Sequence, residues 1–350
     1  MKKTHLALFI LGGLIMTKNH ASELPFKIRT VFEIKRSFCA IKTNGILNYE
    51  NRRAAWIDRT GDSMSSSSNS LLLLENGENE ISLEIGAVNW FSDDPLSLQE
   101  RQQFKPRAGC KLELMRGDEG NEEDTYTLLA SINVHIDENG IPAVTPYRPD
   151  SSYADRLNTS VTGHVEQKKI IAEQVEHGHI HPNYFSDSYY PHNMELYQFT
   201  QKVNISGIPE WKWVHATPFN GSNEHLQKLR DAYAELAEII NNKDRARLKK
   251  FEKISLEAWT LVTGDSEDDI ISSRYIKDNI KGGFATIAPI NWDNYSVRVM
   301  NKGRLVQLYN KSKPRYSPLT FFATNSDGGK TMGFYAPIFS LIDGKFVPVI

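Results

Sequence analysis

Three histidines alternate in the run EHGHIHPNYF: His177, His179 and His181. On an extended chain alternate side chains share a face, so three imidazoles can converge on one point. Neutral imidazole is a ligand for zinc or copper, and His192 or Glu176 can complete such a shell. A catalytic zinc also needs an open coordination position and a nearby general base. Gly178 and Pro182 work against a regular strand here. The chain also lacks a helix-borne H-E-x-x-H. The expectation is a polar loop with no cofactor. Zinc held by His177, His179 and His181, in an exported metal-dependent hydrolase, is the alternative.

Other residues offer binding chemistry. Trp211 and Trp213 share a face on an extended chain. Such a pair can stack on a sugar or anchor a partner protein, or pack between two domains, which is the expectation at a junction. Lys243, Arg245, Arg247, Lys249, Lys250 and Lys253 make a basic patch at the start of a helix. It suits an acidic partner or an anionic membrane surface, although a solvated helix face is the plainer reading. Residues 118–124 hold five carboxylates but lack the spaced order of a calcium loop, so they read as a hairpin tip. GGKT at 328–331 resembles the end of a phosphate loop, but Thr324 stands where its first glycine belongs. There is no G-x-S-x-G and no C-x-x-C.

Composition narrows the classes. The 350 residues are 40% apolar and 24% charged, which excludes a wholly disordered, collagen-like or coiled-coil chain. A formal charge of −2 gives no global basic field for nucleic acid. Lys2 and Lys3 precede an apolar run, LALFILGGLIM, at residues 6–16, and Ala21 is a small residue at a cut. This is the pattern of a signal peptide over residues 1–21. The run is shorter than the about 20 apolar residues of a membrane span. No later stretch is long and apolar enough for one. The expected location is the periplasm, with secretion as the alternative. Export and an even cysteine count predict a Cys39–Cys110 disulfide.

These side chains must be placed by two kinds of element. Phe26, Ile28, Thr30, Phe32 and Ile34 alternate with polar neighbours, as do Ile81, Leu83 and Ile85, the pair Leu112 and Leu114, and the run from Ala130 to Ile136. Period two with Gly/Asn/Asp turns predicts an antiparallel β-sandwich over residues 22–217. Within it, the Ser-rich run at 63–70 reads as a loop, and residues 146–195 as a long polar insertion.

From Ser222 the period becomes 3.6. Ser222 is placed to cap a helix running to about Asn241, Asp244 a second ending at Gly264, and Ser266 a third. A meander of strands follows to residue 350. Residues 218–350 therefore read as an α+β domain able to fold alone. In element order this region resembles the cystatin and nuclear-transport-factor-like class, in which a curved sheet wraps a helix. The whole pattern of signal peptide, acidic mature chain and β-rich fold resembles bacterial periplasmic immunity proteins. That resemblance implies a non-enzymatic protein whose partner is another protein of the cell envelope, a toxin being the concrete case. Trp211, Trp213, Arg245, Arg247, Lys249 and Lys250 are the candidate contacts. A carbohydrate-binding protein is the further alternative.

Overall fold

A computed structural model describes residues 24–52, 63–118, 126–145, 157–159, 163–175, 190–275, 285–324 and 328–350. The N-terminal part is a two-layer antiparallel β-sandwich. One layer has the order β4-β1-β6-β7-β8, built from β1 (Phe26–Lys35), β4 (Met64–Asn69), β6 (Gly109–Asp118), β7 (Tyr126–Ile136) and β8 (Pro142–Val144). A short β9 (Leu157–Thr159) lies parallel to β7. The other layer has the order β10-β11-β5-β2-β3, from β2 (Ser37–Thr43), β3 (Ile46–Glu50), β5 (Gly77–Ala87), β10 (Val165–Ile171) and β11 (Glu195–Ile205). The alternating apolar residues meet between the layers, with Ile28, Phe32 and Ile34 facing Ile41, Leu83 and Phe199 in one core. Cys39 on β2 and Cys110 on β6 form the disulfide, which ties one layer to the other.

Two expectations are corrected here. The Ser-rich run at 63–70 is strand β4, paired with β1 from Arg29↔Asn69 to Ile34↔Met64. The polar insertion contains β10, paired with β11 along its whole length. Among the described residues both are edge strands, with one ladder and much of their side-chain surface in solvent. Neither therefore needs the apolar alternation by which half-buried strands are read.

The C-terminal part is α+β. Helices α2 (Asn223–Asn241), α3 (Arg245–Phe251), α4 (Lys253–Thr263) and α5 (Glu267–Tyr275) follow a short α1 (Leu98–Gln102) in the sandwich. The Ser222 hydroxyl accepts the His225 N–H at 3.2 Å and so caps α2. Asp244 caps α3 through Arg247 at 3.0 Å, and Ser266 caps α5 through Asp269 at 3.2 Å. Gly264 ends α4 at φ 73°, a left-handed conformation that suits glycine. The helix expected from Asp244 to Gly264 is broken at Glu252, which ends α3 and begins α4. The strands after the helices divide into two sheets, β12-β15-β16 and β13-β14-β17-β18. Their members are β12 (Thr286–Ile287), β13 (Tyr295–Met300), β14 (Leu305–Asn310), β15 (Leu319–Thr324), β16 (Lys330–Tyr335), β17 (Phe339–Ile342) and β18 (Lys345–Pro348).

A second core joins helices to sheets through Leu229, Tyr233, Leu236, Ile271, Phe321 and Phe339. The sandwich core does not stop at residue 217. Val262, Met300, Leu305, Ile338 and Val349 belong to it, so the four-stranded sheet has helices on one side and the sandwich on the other.

Candidate partner-binding face

Where the structure puts the sequence's candidates limits what they can do. His177, His179 and His181 lie outside the described residues. Among the described residues, no group of three or more His, Cys, Asp or Glu is placed to hold a metal ion. Trp211 and Trp213 flank and enter a 3-10 turn at Lys212–His215, and their rings are only 5% and 2% exposed. Their indole N–H groups donate to the carbonyls of Leu71 (3.1 Å) and Leu72 (3.2 Å), in the turn between β4 and β5. A buried Trp whose N–H is satisfied is a packing residue. Both rings belong to the junction core and present no face to a partner.

The basic patch on α3 is largely occupied by the chain's own carboxylates. Arg245 and Lys249 both reach Asp268 of α5 at 2.7 Å. Arg247 reaches Glu238 of α2 at 2.9 Å. Hydrogen bonds from Lys249 and then Arg245 hold the Asp268 carboxyl below its ordinary value. Lys250 is exposed. These pairs stitch three helices together at their surface.

Two buried ionisable clusters carry no sequence signal. Glu252 is 1% exposed, accepts the Tyr275 hydroxyl at 2.6 Å and faces Arg274 at 3.2 Å. Burial pushes its carboxyl up, against the opposing pull of Arg274 and Tyr275. In the sandwich, Arg52 pairs with Glu50 and lies 4.4 Å from the centre of the Tyr190 ring. The Tyr190 hydroxyl donates to Glu50 at 3.1 Å. Each cluster is a carboxylate held by an arginine and a phenol, and in the first the buried Ser255 hydroxyl also accepts from Arg274 at 2.8 Å and bonds to Glu252.

The open chemistry lies on the small sheet. Its core face carries Leu319, Phe321 and Tyr335, buried against the helices. Alternation along β15 then sends Thr320, Phe322 and Thr324 to the opposite face. Phe322 is 64% exposed, the most exposed large apolar side chain among the described residues. It stands between Thr286 of β12 and Met332 of β16 in one cross-strand row. Thr320 and Phe334 pair in the neighbouring row, and same-face diagonals of this kind are within reach of aromatic rings. Tyr316 packs on Phe334 with ring centres 4.9 Å apart. Tyr295 closes this end, its phenol bonded to Asn310 and Thr320 and pushed above its ordinary range by burial. The chain from Asn294 to Thr324 contains no acidic residue, and in the β14–β15 loop the Lys313 ammonium stands 5.5 Å from the centre of the Tyr316 ring. The face is an aromatic and thioether surface with a cationic border.

The sequence contained a signal for this face. In LTFFAT, two consecutive phenylalanines must point to opposite sides of a strand, so one of them leaves the core unless both sides are covered. Comparison with known protein families, curated proteins and solved structures finds no match to this chain.

Proposed function

We propose that this chain is an exported, non-enzymatic binding protein whose partner is another protein of the cell envelope. A toxin delivered into the periplasm is the concrete form of that partner, and neutralising it is the role. The carrying observation is Phe322, held 64% exposed in a ladder with Met332 and beside Phe334. Exposed aromatic patches with a polar rim mark interaction sites, and aromatic anchors dominate interface energies. The cationic border favours a partner surface with carboxylates around an apolar pocket. A disulfide between the sandwich layers agrees with an oxidising compartment. A sugar is a poorer fit, because threonines are the polar groups in the rows with Phe322 and Phe334. The carboxylates and amides that orient sugar hydroxyls are missing from them.

The test places a photo-crosslinking residue at position 322 in the producing cell, identifies the linked protein and rebuilds the complex from purified components. Phe322→Asp should lower affinity by about 30-fold or more, the scale of a hot spot, with an unchanged melting temperature. Equal affinity of wild type and Phe322→Asp for that protein, or binding of oligosaccharide alone, overturns the reading.

A further inference from the structure

Side chains alternate along β1, β6 and β7, so one row across the outer face of the first layer runs Lys35, Gly109, His135. The next row runs Glu33, Lys111, Asn133. Gly109 leaves a gap in its row. A Cβ there would lie 2.7 Å from the Val134 carbonyl oxygen, closer than real Cβ atoms come, so the position excludes a side chain. The gap is the floor of a hollow of about 170 Å³, whose polar walls are Glu33, Lys35, Arg107, Lys111, Asn133 and His135. That is room for one oxyanion with several waters.

The carboxylates near the hollow are already engaged. Glu33 pairs with Lys35 at 2.9 Å, and Glu113 with Lys111 at 2.8 Å. Asp137, just past β7, turns its carboxylate into its own hairpin, where it accepts the Asn139 N–H at 2.9 Å and the Ile141 N–H at 2.8 Å. Arg107 is different. Among the described residues, no hydrogen bond, ion pair or ring contact engages its exposed guanidinium. Its backbone is held at φ 63°, in the left-handed region that disfavours a residue with a Cβ. Folded proteins keep strain of this kind where a site uses it. Arg36 reaches the Pro106 carbonyl of the same turn at 3.5 Å, which brings a further cation to this end of the sheet.

We propose that this hollow binds a phosphate-type oxyanion. Arg107 supplies a two-pronged guanidinium contact. The Lys35 and Lys111 ammonium groups keep donors beyond those given to Glu33 and Glu113, and the Asn133 amide adds a neutral one. Donors on several sides suit the tetrahedral acceptors of a phosphate better than the planar pair of a carboxylate. The site lies on the sandwich, apart from the Phe322 face, and does not depend on the reading given for that face.

The experiment titrates the purified, oxidised protein with inorganic phosphate at constant ionic strength, with chloride as the control, and follows heat and melting temperature. Wild type should bind one phosphate saturably and melt higher as phosphate rises. Arg107→Gly removes the guanidinium and suits the left-handed backbone. It should melt close to wild type in chloride yet bind phosphate at least about tenfold more weakly. Lys35→Met, which leaves the turn untouched, should weaken binding as well. Phosphatidylcholine vesicles with and without phosphatidic acid separate the sources. Retention of wild type but not Arg107→Gly on the acidic vesicles assigns a lipid headgroup, and any other vesicle result, with phosphate bound, assigns a soluble phosphate. No saturable heat, equal stabilisation by chloride, or equal phosphate binding by Arg107→Gly overturns the proposal and leaves an adventitious ion only.

Discussion

Glu75 and Arg304 are 229 positions apart in sequence and meet in a two-pronged ion pair, with Nη1–Oε2 at 2.7 Å and Nη2–Oε1 at 2.5 Å. The same guanidinium donates to the Val214 carbonyl at 3.0 Å and to Asn301 at 2.7 Å. It also stands 5.4 Å from the centre of the Trp213 ring. One side chain therefore ties together the β4–β5 connection, the tryptophan turn and the β13–β14 hairpin. Asn301, Lys302 and Gly303 of that hairpin turn have φ of 43°, 57° and 87°, which aims Arg304 back at the sandwich.

Removing one partner of a buried pair strands the other charge. Arg304→Met should destabilise the protein by about 3–5 kcal/mol, measured by denaturant unfolding. Replacing both members, Glu75→Leu with Arg304→Met, should recover a large part of that loss.

The pair also sets an acid limit. Burial pushes the Glu75 carboxyl up, but the bonds and charge of Arg304, with Lys302, outweigh it and hold it below the ordinary 4.5. A carboxyl lowered in the folded state contributes stability above the unfolded value, and that contribution is lost as pH falls through the folded one. Stability should therefore drop below about pH 4.5 in the wild type, and the drop should be shallower in Glu75→Gln. Unfolding curves across that range decide it.

Glu252 has the opposite sign. Its carboxyl is raised by burial, so the ionised form costs stability at neutral pH and the cost disappears as pH falls through the folded value. Wild type should gain stability relative to Glu252→Gln as pH falls from neutral toward the ordinary carboxyl value of 4.5. Carboxyl NMR should show one titration above the ordinary range, absent in Glu252→Gln. That titration should move higher in Tyr275→Phe, where the lowering hydrogen bond is gone.

The Cys39–Cys110 bond closes a separation of 71 residues. Chain-entropy arguments assign such a closure about 4 kcal/mol. The Cys39→Ala/Cys110→Ala protein should lose stability of that order, and mass spectrometry of the oxidised wild type should find the linked peptide pair.

Residues 222–350 by themselves should bind a hydrophobic dye and give poorly dispersed NMR spectra. Val262, Met300, Leu305, Ile338 and Val349 lie in the sandwich core, and each large apolar side chain left in water forfeits about 1.5–3 kcal/mol. A soluble fragment with cooperative unfolding would show that the helices and sheets suffice without the sandwich.

Much of the architecture follows from local pattern. Alternation in FKIRTVFEIK specifies β1 because one face is buried and one is wet. Ser222, Asp244 and Gly264 mark helix ends because caps are satisfied within three or four residues. Strands β4 and β10 escape this reading because an edge strand needs only a neighbour's ladder, which a serine run or VEQKKII supplies as well as any apolar sequence. The break at Glu252 escapes it too, since the partner that draws the carboxyl inward, Tyr275, lies 23 residues on.

The sequence by itself determined the β-then-α+β order, the helix caps and the pairing of two cysteines, because each depends on neighbours along the chain or on there being a single partner available. Tertiary structure alone decided which aromatic residues are core and which are surface. By sequence Trp211 and Trp213 can serve either a partner or a domain junction, and two carbonyls of the Leu71–Leu73 turn and the guanidinium of Arg304 hold them in the junction. Phe322 looks like core, yet its neighbour Phe321 takes the helix side of β15 and leaves it facing solvent. Burial is a property of what the rest of the chain places over a side chain, and that placement is made by residues dozens to hundreds of positions away.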